Sequence, residues 1–167
     1  AVARGEYVFF LDVDDTIEST TLSSLYETAK QGNYDMVFCD KQRIYDNKNF
    51  RDKIFAFNDD KEFNYDEITS EIKKRVSDPD YTVGFAGCHG KLIKKSIITD
   101  NNISFENNLR FLEDEIFIID ILGYSKKIKY VKKQLYIYNI NPNLPSGRSN
   151  AFNFDFPAQN FKIMRNH

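Results

Sequence analysis

The chain opens on an apolar run, Glu6 to Leu11, in which Tyr, Val, Phe, Phe and Leu follow one another without polar interruption. Such a run predicts a strand buried on both faces. After an acidic stretch, Leu22, Leu25, Tyr26 and Ala29 recur at helical spacing, with Ser19 or Thr20 placed to cap the start and Gly32 just past the end. Asp35 to Asp40 is a second buried run, extending towards Tyr45. Strand, helix and strand in this order predict a parallel α/β unit.

Residues 46–60 are polar and predict a loop or edge strands. Tyr65 to Val76 reads as a helix closed by Asp78-Pro79, and Gly84 to Gly90 as a tightly turned glycine-rich stretch. Lys91 to Asn102 predicts a short strand and a short helix. Phe111 to Leu122 predicts a helix with Ile116, Ile119 and Leu122 on one face and Gly123 as its stop; Lys129 to Ile140 predicts a strand. Pro142 and Pro145 mark a loop, in which Arg148 could clamp a phosphate or sit on the surface. The expected organisation is one α/β domain over residues 1–150 and an aromatic docking tail over 151–167.

Composition narrows the class. The 167 residues suit one domain with a sizeable core. A net charge of -2, from 23 basic and 25 acidic residues, gives no electrostatic case for a nucleic-acid partner. No apolar run approaches the ~18 residues that span a bilayer. With two cysteines, Cys39 and Cys88, each in an apolar setting, a disulfide scaffold is excluded. Both read as small core residues, and a reducing compartment fits, the cytoplasm being the expected one. The start, Ala1-Val2-Ala3-Arg4-Gly5, reads as the end of an element that begins upstream.

The chemistry concentrates in Asp12, Asp14 and Asp15. At the end of an extended segment, Asp12 and Asp14 are expected on the same side. Adjacent carboxylates repel unless a cation or a proton lies between them, and hard oxygen ligands suit Mg²⁺ or Mn²⁺. The carboxyl end of a strand is also where open α/β sheets bind ligands. The bland alternative is a solvated turn in which Asp15 or Thr16 caps the following helix.

Phe10-Leu11-Asp12-Val13-Asp14-Asp15-Thr16-Ile17 resembles the first motif of haloacid-dehalogenase-type phosphatases, which would make Asp12 a nucleophile and Asp14 a general acid/base. That likeness ends within the segment. A wider one is to family 2 glycosyltransferases of the GT-A type. Ala3-Arg4-Gly5-Glu6-Tyr7, the apolar strand and Asp12-Val13-Asp14-Asp15 resemble the family's opening block. His89-Gly90-Lys91-Leu92-Ile93-Lys94-Lys95 is similar to its Asn-Lys-Leu-Tyr-Arg-Arg segment, with His89 in place of the more usual Asn. Ile103-Ser104-Phe105, Glu113-Asp114 and Tyr136-Ile137-Tyr138 follow in the family's order. The Gln-x-x-Arg-Trp motif of processive synthases is absent from the sequence.

The resemblance implies a partial GT-A-like mixed sheet with flanking helices, an α/β fold in three α/β/α layers. It implies sugar transfer from a nucleotide sugar, a UDP-sugar by preference, to a saccharide or lipid-linked acceptor, with inversion. Asp12, Asp14 and Asp15 would hold Mg²⁺ or Mn²⁺, with Asp14 foremost as the direct ligand and Asp12 facing the ribose or the metal. Asp114 would serve as the base, with Glu113 beside it orienting or touching the acceptor. His89 and Lys91 would contact diphosphate or acceptor, or else be a turn residue and a surface charge. Acids at the start of a helix are also favoured by its dipole, by ~0.3–1 kcal/mol each. The resemblance further implies about 80–90 nucleotide-gripping residues ahead of the Asp-x-Asp strand. The expectation is therefore that these residues alone do not turn over, and that an open sheet edge invites a homodimer or the remaining part of the sheet. Bacterial surface-polysaccharide synthesis, at the inner face of the membrane, is the expected setting. A non-catalytic α/β binding module is the third reading.

Overall fold

Two long strands, β3 (Met36–Tyr45) and β7 (Ile128–Ile140), run side by side in parallel at the centre of a mixed sheet. The computed structural model describes residues 3–45, 48–54, 56–77, 87–107 and 113–140. Around the central pair lie β1 (Tyr7–Phe9), β2 (Thr16–Ile17), β4 (Lys48–Ile54), β5 (Lys61–Phe63) and β6 (Lys91–Lys94). The order is β1-β6-β3-β7-β2, with β4 also on β3 and β5 also on β7. Each long strand thus offers one stretch of its outer edge to one short strand and another stretch to a second: β3 pairs with β6 and β4, and β7 with β5 and β2.

Alternation along the strands builds two cores, because successive side chains point to opposite faces of a sheet. On one face, Met36 and Phe38 of β3, Ile93 of β6 and Ile128 and Tyr130 of β7 form a cluster with residues of α2 (Tyr65–Ser77), α3 (Lys95–Asp100) and α4 (Glu113–Tyr124). On the other, Val37, Cys39, Leu92, Val131 and Tyr136 pack with Leu25 and Ala29 of α1 (Thr21–Gly32). The result is the expected three-layer α/β/α arrangement of a mixed sheet with flanking helices.

Several local expectations are corrected. β1 and β3 run parallel, as the strand–helix–strand order predicts, but β6 lies between them and is antiparallel to both; β1 itself, expected to be buried and central, is half-buried at the end of the strand order. β6 supplies Leu92 to one core and Ile93 to the other, so it fills a central position that two-sided burial favours. The parallel strands that hydrogen-bond to each other are β3 and β7. In α1 the buried face is Thr21, Leu25 and Ala29, while Leu22 and Tyr26 are exposed. Thr20 occupies the N-cap position without a side-chain cap bond, and Asn33, not glycine, takes the left-handed position at the helix end. Gly123 does not stop α4, which runs to Tyr124, and its buried residues are Ile116, Phe117, Ile118, Ile121 and Leu122, with Ile119 half-buried. The helix at Tyr65 starts with a reciprocal pair that pattern reading missed: Glu67 N–H donates to Asn64 Oδ1 at 3.0 Å, and Asn64 N–H donates to Glu67 Oε2 at 3.1 Å. Cys39 and Cys88 are buried free thiols, as expected. The Pro142–Pro145 loop, Arg148 and the 151–167 tail lie outside the described residues.

Candidate functional site

The acidic cluster is a turn. Asp15 N–H donates to the Asp12 carbonyl at 3.1 Å, and the chain then enters β2. A turn breaks the two-residue alternation of a strand, so the expected Asp12–Asp14 pairing gives way to Asp12 with Asp15. Asp14 is exposed; its carbonyl accepts from the Asn139 side-chain amide at 2.8 Å. Asp15 points inward and is 6% exposed. Its two oxygens accept from Tyr136 Oη–H at 2.6 Å and from Asn139 N–H at 2.9 Å. Neither Asp15 nor Thr16 caps a helix, since Thr16 already belongs to β2 and α1 begins at Thr21. Burial raises the Asp15 carboxyl above its ordinary range, and the bonds from Tyr136 and Asn139 oppose that rise.

β7 anchors this turn. Residues Tyr136 and Ile137 pair with Ile17 and Thr16, and the Leu135 carbonyl accepts from Glu18 N–H and from Thr21 Oγ1 at 3.0 and 2.9 Å. Tyr136 is fully buried, and burial together with Asp15 raises its phenol.

The glycine-rich stretch arrives on top of the turn. His89 forms a bridge with Phe10, the residue after β1, and its Nε2 lies 3.0 Å from Asp12 Oδ2. The ring stands edge-on to Tyr136 and Tyr138, at 5.4 and 5.5 Å between centroids. His89 is therefore held between β7 and the acidic turn, not displayed as a free turn residue. Burial, reinforced by Lys41, lowers its pKa, while Asp12 pulls the other way. Asp12, Asp15 and His89 each present a ligand atom within 4.8 Å of the others. Two carboxylate oxygens and an imidazole nitrogen suit a divalent ion.

Asp114 reaches the same place through Gly87. Gly87 has φ +64°, and a Cβ built there would lie 2.8 Å from Asp114 Oδ2 and 3.1 Å from His89 Nδ1. Asp114 Oδ2 and His89 Nδ1 thus both border the space beside Gly87 that a side chain there would fill. Asp114 and Asp12 both act on the buried Cys88 thiol, which burial first, and then Asp114, pushes up to about 12. Gly90, also left-handed at φ +66°, lets the chain press onto β3, where a side chain would meet the Cys39 carbonyl at 3.3 Å.

Glu113 is half-buried, and its Oε2 has no hydrogen-bond partner among the described residues. Lys91 corrects one of the two expectations made for it. It is 2% exposed, so it is not a surface charge. Its Nζ donates to the His89 carbonyl at 3.5 Å and lies 5.9 Å from the Phe38 ring centroid. Burial lowers it to about 8, with Lys41 adding to that and Cys88, Glu115 and Asp114 opposing it. Sequence reading also missed Tyr136 and Asn139 as supports of the acidic turn; the Tyr136-Ile137-Tyr138 pattern was visible, its task was not.

The arrangement of helix layers on a mixed sheet is shared with solved structures. The structure of Staphylococcus aureus TarS 1-349 in complex with UDP-GlcNAc superposes with a TM-score of 0.64 at 20% identity, over 82% of this chain and 35% of that one. Residues 1–100 match Glycosyl transferase family 2, and the chain belongs to that family. The Borreliella burgdorferi cholesterol galactosyltransferase is 31% identical over 147 residues, which is 80% of this chain and 37% of that protein. The S. aureus poly(ribitol-phosphate) beta-N-acetylglucosaminyltransferase TarP is 30% identical over 142 residues, 85% of this chain and 39% of that protein. The chain spans about two fifths of the length of these curated relatives. Membership in this family stands against the phosphatase reading of the Asp12–Thr16 segment. Among the described residues, no helix is long and apolar enough to cross a membrane.

Proposed function

We propose that the protein transfers a sugar from a UDP-sugar donor to a hydroxyl of a saccharide or lipid-linked acceptor, with inversion at the anomeric carbon. The observation that carries this reading is the meeting of Asp114 with His89 across Gly87, because His89 in turn holds Asp12. A candidate base and an acidic cation-binding turn then address one locus, which sugar transfer requires and a helix-capping role does not.

Asp12 and Asp15, with Asp14 exposed on the same turn, would hold Mg²⁺ or Mn²⁺. When bound, the ion supplies charge neutralisation for the departing diphosphate, worth several kcal/mol of transition-state stabilisation. Asp12, exposed and held at one oxygen by His89, is placed to meet the ribose or the diphosphate. Asp114 takes the proton from the acceptor hydroxyl as that oxygen attacks. Glu113, with one unpartnered buried oxygen, orients the acceptor. Tyr136 and Asn139 fix the turn.

The setting we favour is surface-glycan synthesis at the inner face of the membrane; its glycan part is supported by relatives named for poly(ribitol-phosphate) beta-N-acetylglucosaminyl and beta-glucosyl transfer. The test is a transfer assay with labelled UDP-sugars, with and without Mn²⁺, on these residues joined to the nucleotide-gripping part that the resemblance implies, and on the Asp114→Asn variant of the same protein. Ion-dependent transfer that the substitution abolishes supports the reading. Undiminished transfer by Asp114→Asn overturns the assignment of the base.

A further inference from the structure

We propose that His89 is itself a ligand of the divalent ion, through Nε2, so that the site at the Asp12–Asp15 turn is a mixed oxygen–nitrogen site that prefers Mn²⁺ to Mg²⁺. The inference rests on the ion-binding reading above and goes beyond it in naming a nitrogen donor and a metal preference.

The turn alone is a poor oxygen cage. Asp14 does not join the group of ligand atoms, and both oxygens of Asp15 already accept hydrogen bonds from β7. A carboxylate oxygen so engaged keeps one lone pair, so Asp15 can contribute at most a single-oxygen contact at either atom. His89 Nε2 supplies the missing donor, since it lies 3.0 Å from Asp12 Oδ2 and within 4.8 Å of an Asp15 oxygen. The ring cannot swing away at no cost. Its backbone is bridged to Phe10, two residues before Asp12, and its edges rest against Tyr136 and Tyr138.

The other ring nitrogen has the setting that a ligating histidine requires. An imidazole bound through Nε2 carries its proton on Nδ1, and such a proton is commonly directed at a carboxylate or carbonyl. Here Nδ1 and the Asp114 carboxylate both border the space beside Gly87, 3.1 and 2.8 Å from where a Cβ on that residue would lie. In the absence of an ion, Nε2–H donates to Asp12; ion binding replaces that proton and moves the tautomer to Nδ1–H. No oxidation or transfer is involved, only the loss of one proton or a tautomeric exchange. An imidazole nitrogen favours transition-metal ions, whereas Mg²⁺ selects an all-oxygen octahedron and keeps its waters.

The test is pulsed electron paramagnetic resonance on the protein with Mn²⁺ and UDP, beside competition of Mg²⁺ against Mn²⁺ in the wild type and in His89→Asn. Nitrogen hyperfine modulation in the wild type, lost in His89→Asn, is expected, and the preference for Mn²⁺ over Mg²⁺ should fall by at least about tenfold. If Mn²⁺ binds with no nitrogen coupling, the proposal is overturned and the carboxylate reading stands. If the wild type binds no divalent ion, both are overturned. Should His89→Asn fold poorly, the wild-type spectrum alone decides.

Discussion

The Tyr136 hydroxyl donates to Asp15 Oδ2 at 2.6 Å and, more weakly, accepts from Asp12 N–H at 3.5 Å. One phenol from the longest strand therefore holds both ends of the acidic turn, and the turn inherits the rigidity of the sheet core. Tyr136→Phe removes the bond and leaves a buried carboxylate oxygen without that donor. A bond to a charged group contributes ~1.5–3 kcal/mol. The variant should lose stability of that order in denaturant unfolding. Its affinity for Mn²⁺ with UDP, measured by calorimetry, should fall along with it.

Gly87→Ala should act on the site more than on the fold. The left-handed backbone disfavours any side chain by ~1–2 kcal/mol. The added methyl would also sit 2.8 Å from Asp114 Oδ2, forcing that carboxylate aside. Transfer should drop by more than the loss of stability accounts for, with the circular-dichroism spectrum preserved. Full activity in a folded Gly87→Ala protein contradicts the placement of Asp114.

Asp114→Asn keeps the shape and removes the base. A positioned base contributes about 10²–10⁴-fold. The turnover number should fall within that range while the donor KM stays near the wild-type value, because the proposed donor side of the site lies at Asp12 and its neighbours.

Lys91 predicts a pH signature in stability. Its folded pKa, about 8, lies below the model-compound value of 10.5, so the native state binds fewer protons than the unfolded chain between these two values. Native stability therefore rises with pH across that window, by on the order of 3 kcal/mol for a shift of this size. Lys91→Met removes the term. The stability of the wild type relative to Lys91→Met should climb between pH 8 and 10.5 in urea titrations. A difference that is flat with pH would mean that Lys91 is solvated.

Much of the layer structure was legible because it depends on local apolar pattern. The Tyr7–Phe9 and Met36–Tyr45 strands, the helices at Thr21 and Glu113 and the closing strand at Ile128 are each written in contiguous residues. The insertion of Lys91–Lys94 between β1 and β3 was not legible, since strand order is decided by which residues can serve two cores, and a four-residue run does not announce that. Asp12, Asp114 and His89 were visible as chemistry. Their meeting was not, because it depends on a left-handed glycine and on a turn that replaces strand alternation. The burial of Lys91 was hidden for the opposite reason: its flanking Gly90 and Leu92 look like a surface turn until Gly90 is pressed against Cys39.

The account stands on one locus shared by the Asp12–Asp15 turn and Asp114. A crystal structure of the protein with Mn²⁺ and UDP tests it directly. The diphosphate is predicted to lie against Asp12 and His89, with the Asp114 carboxylate facing the space beyond the terminal phosphate. A nucleotide bound away from that turn, or an Asp114 side chain directed out of the cavity holding the diphosphate, would contradict the account.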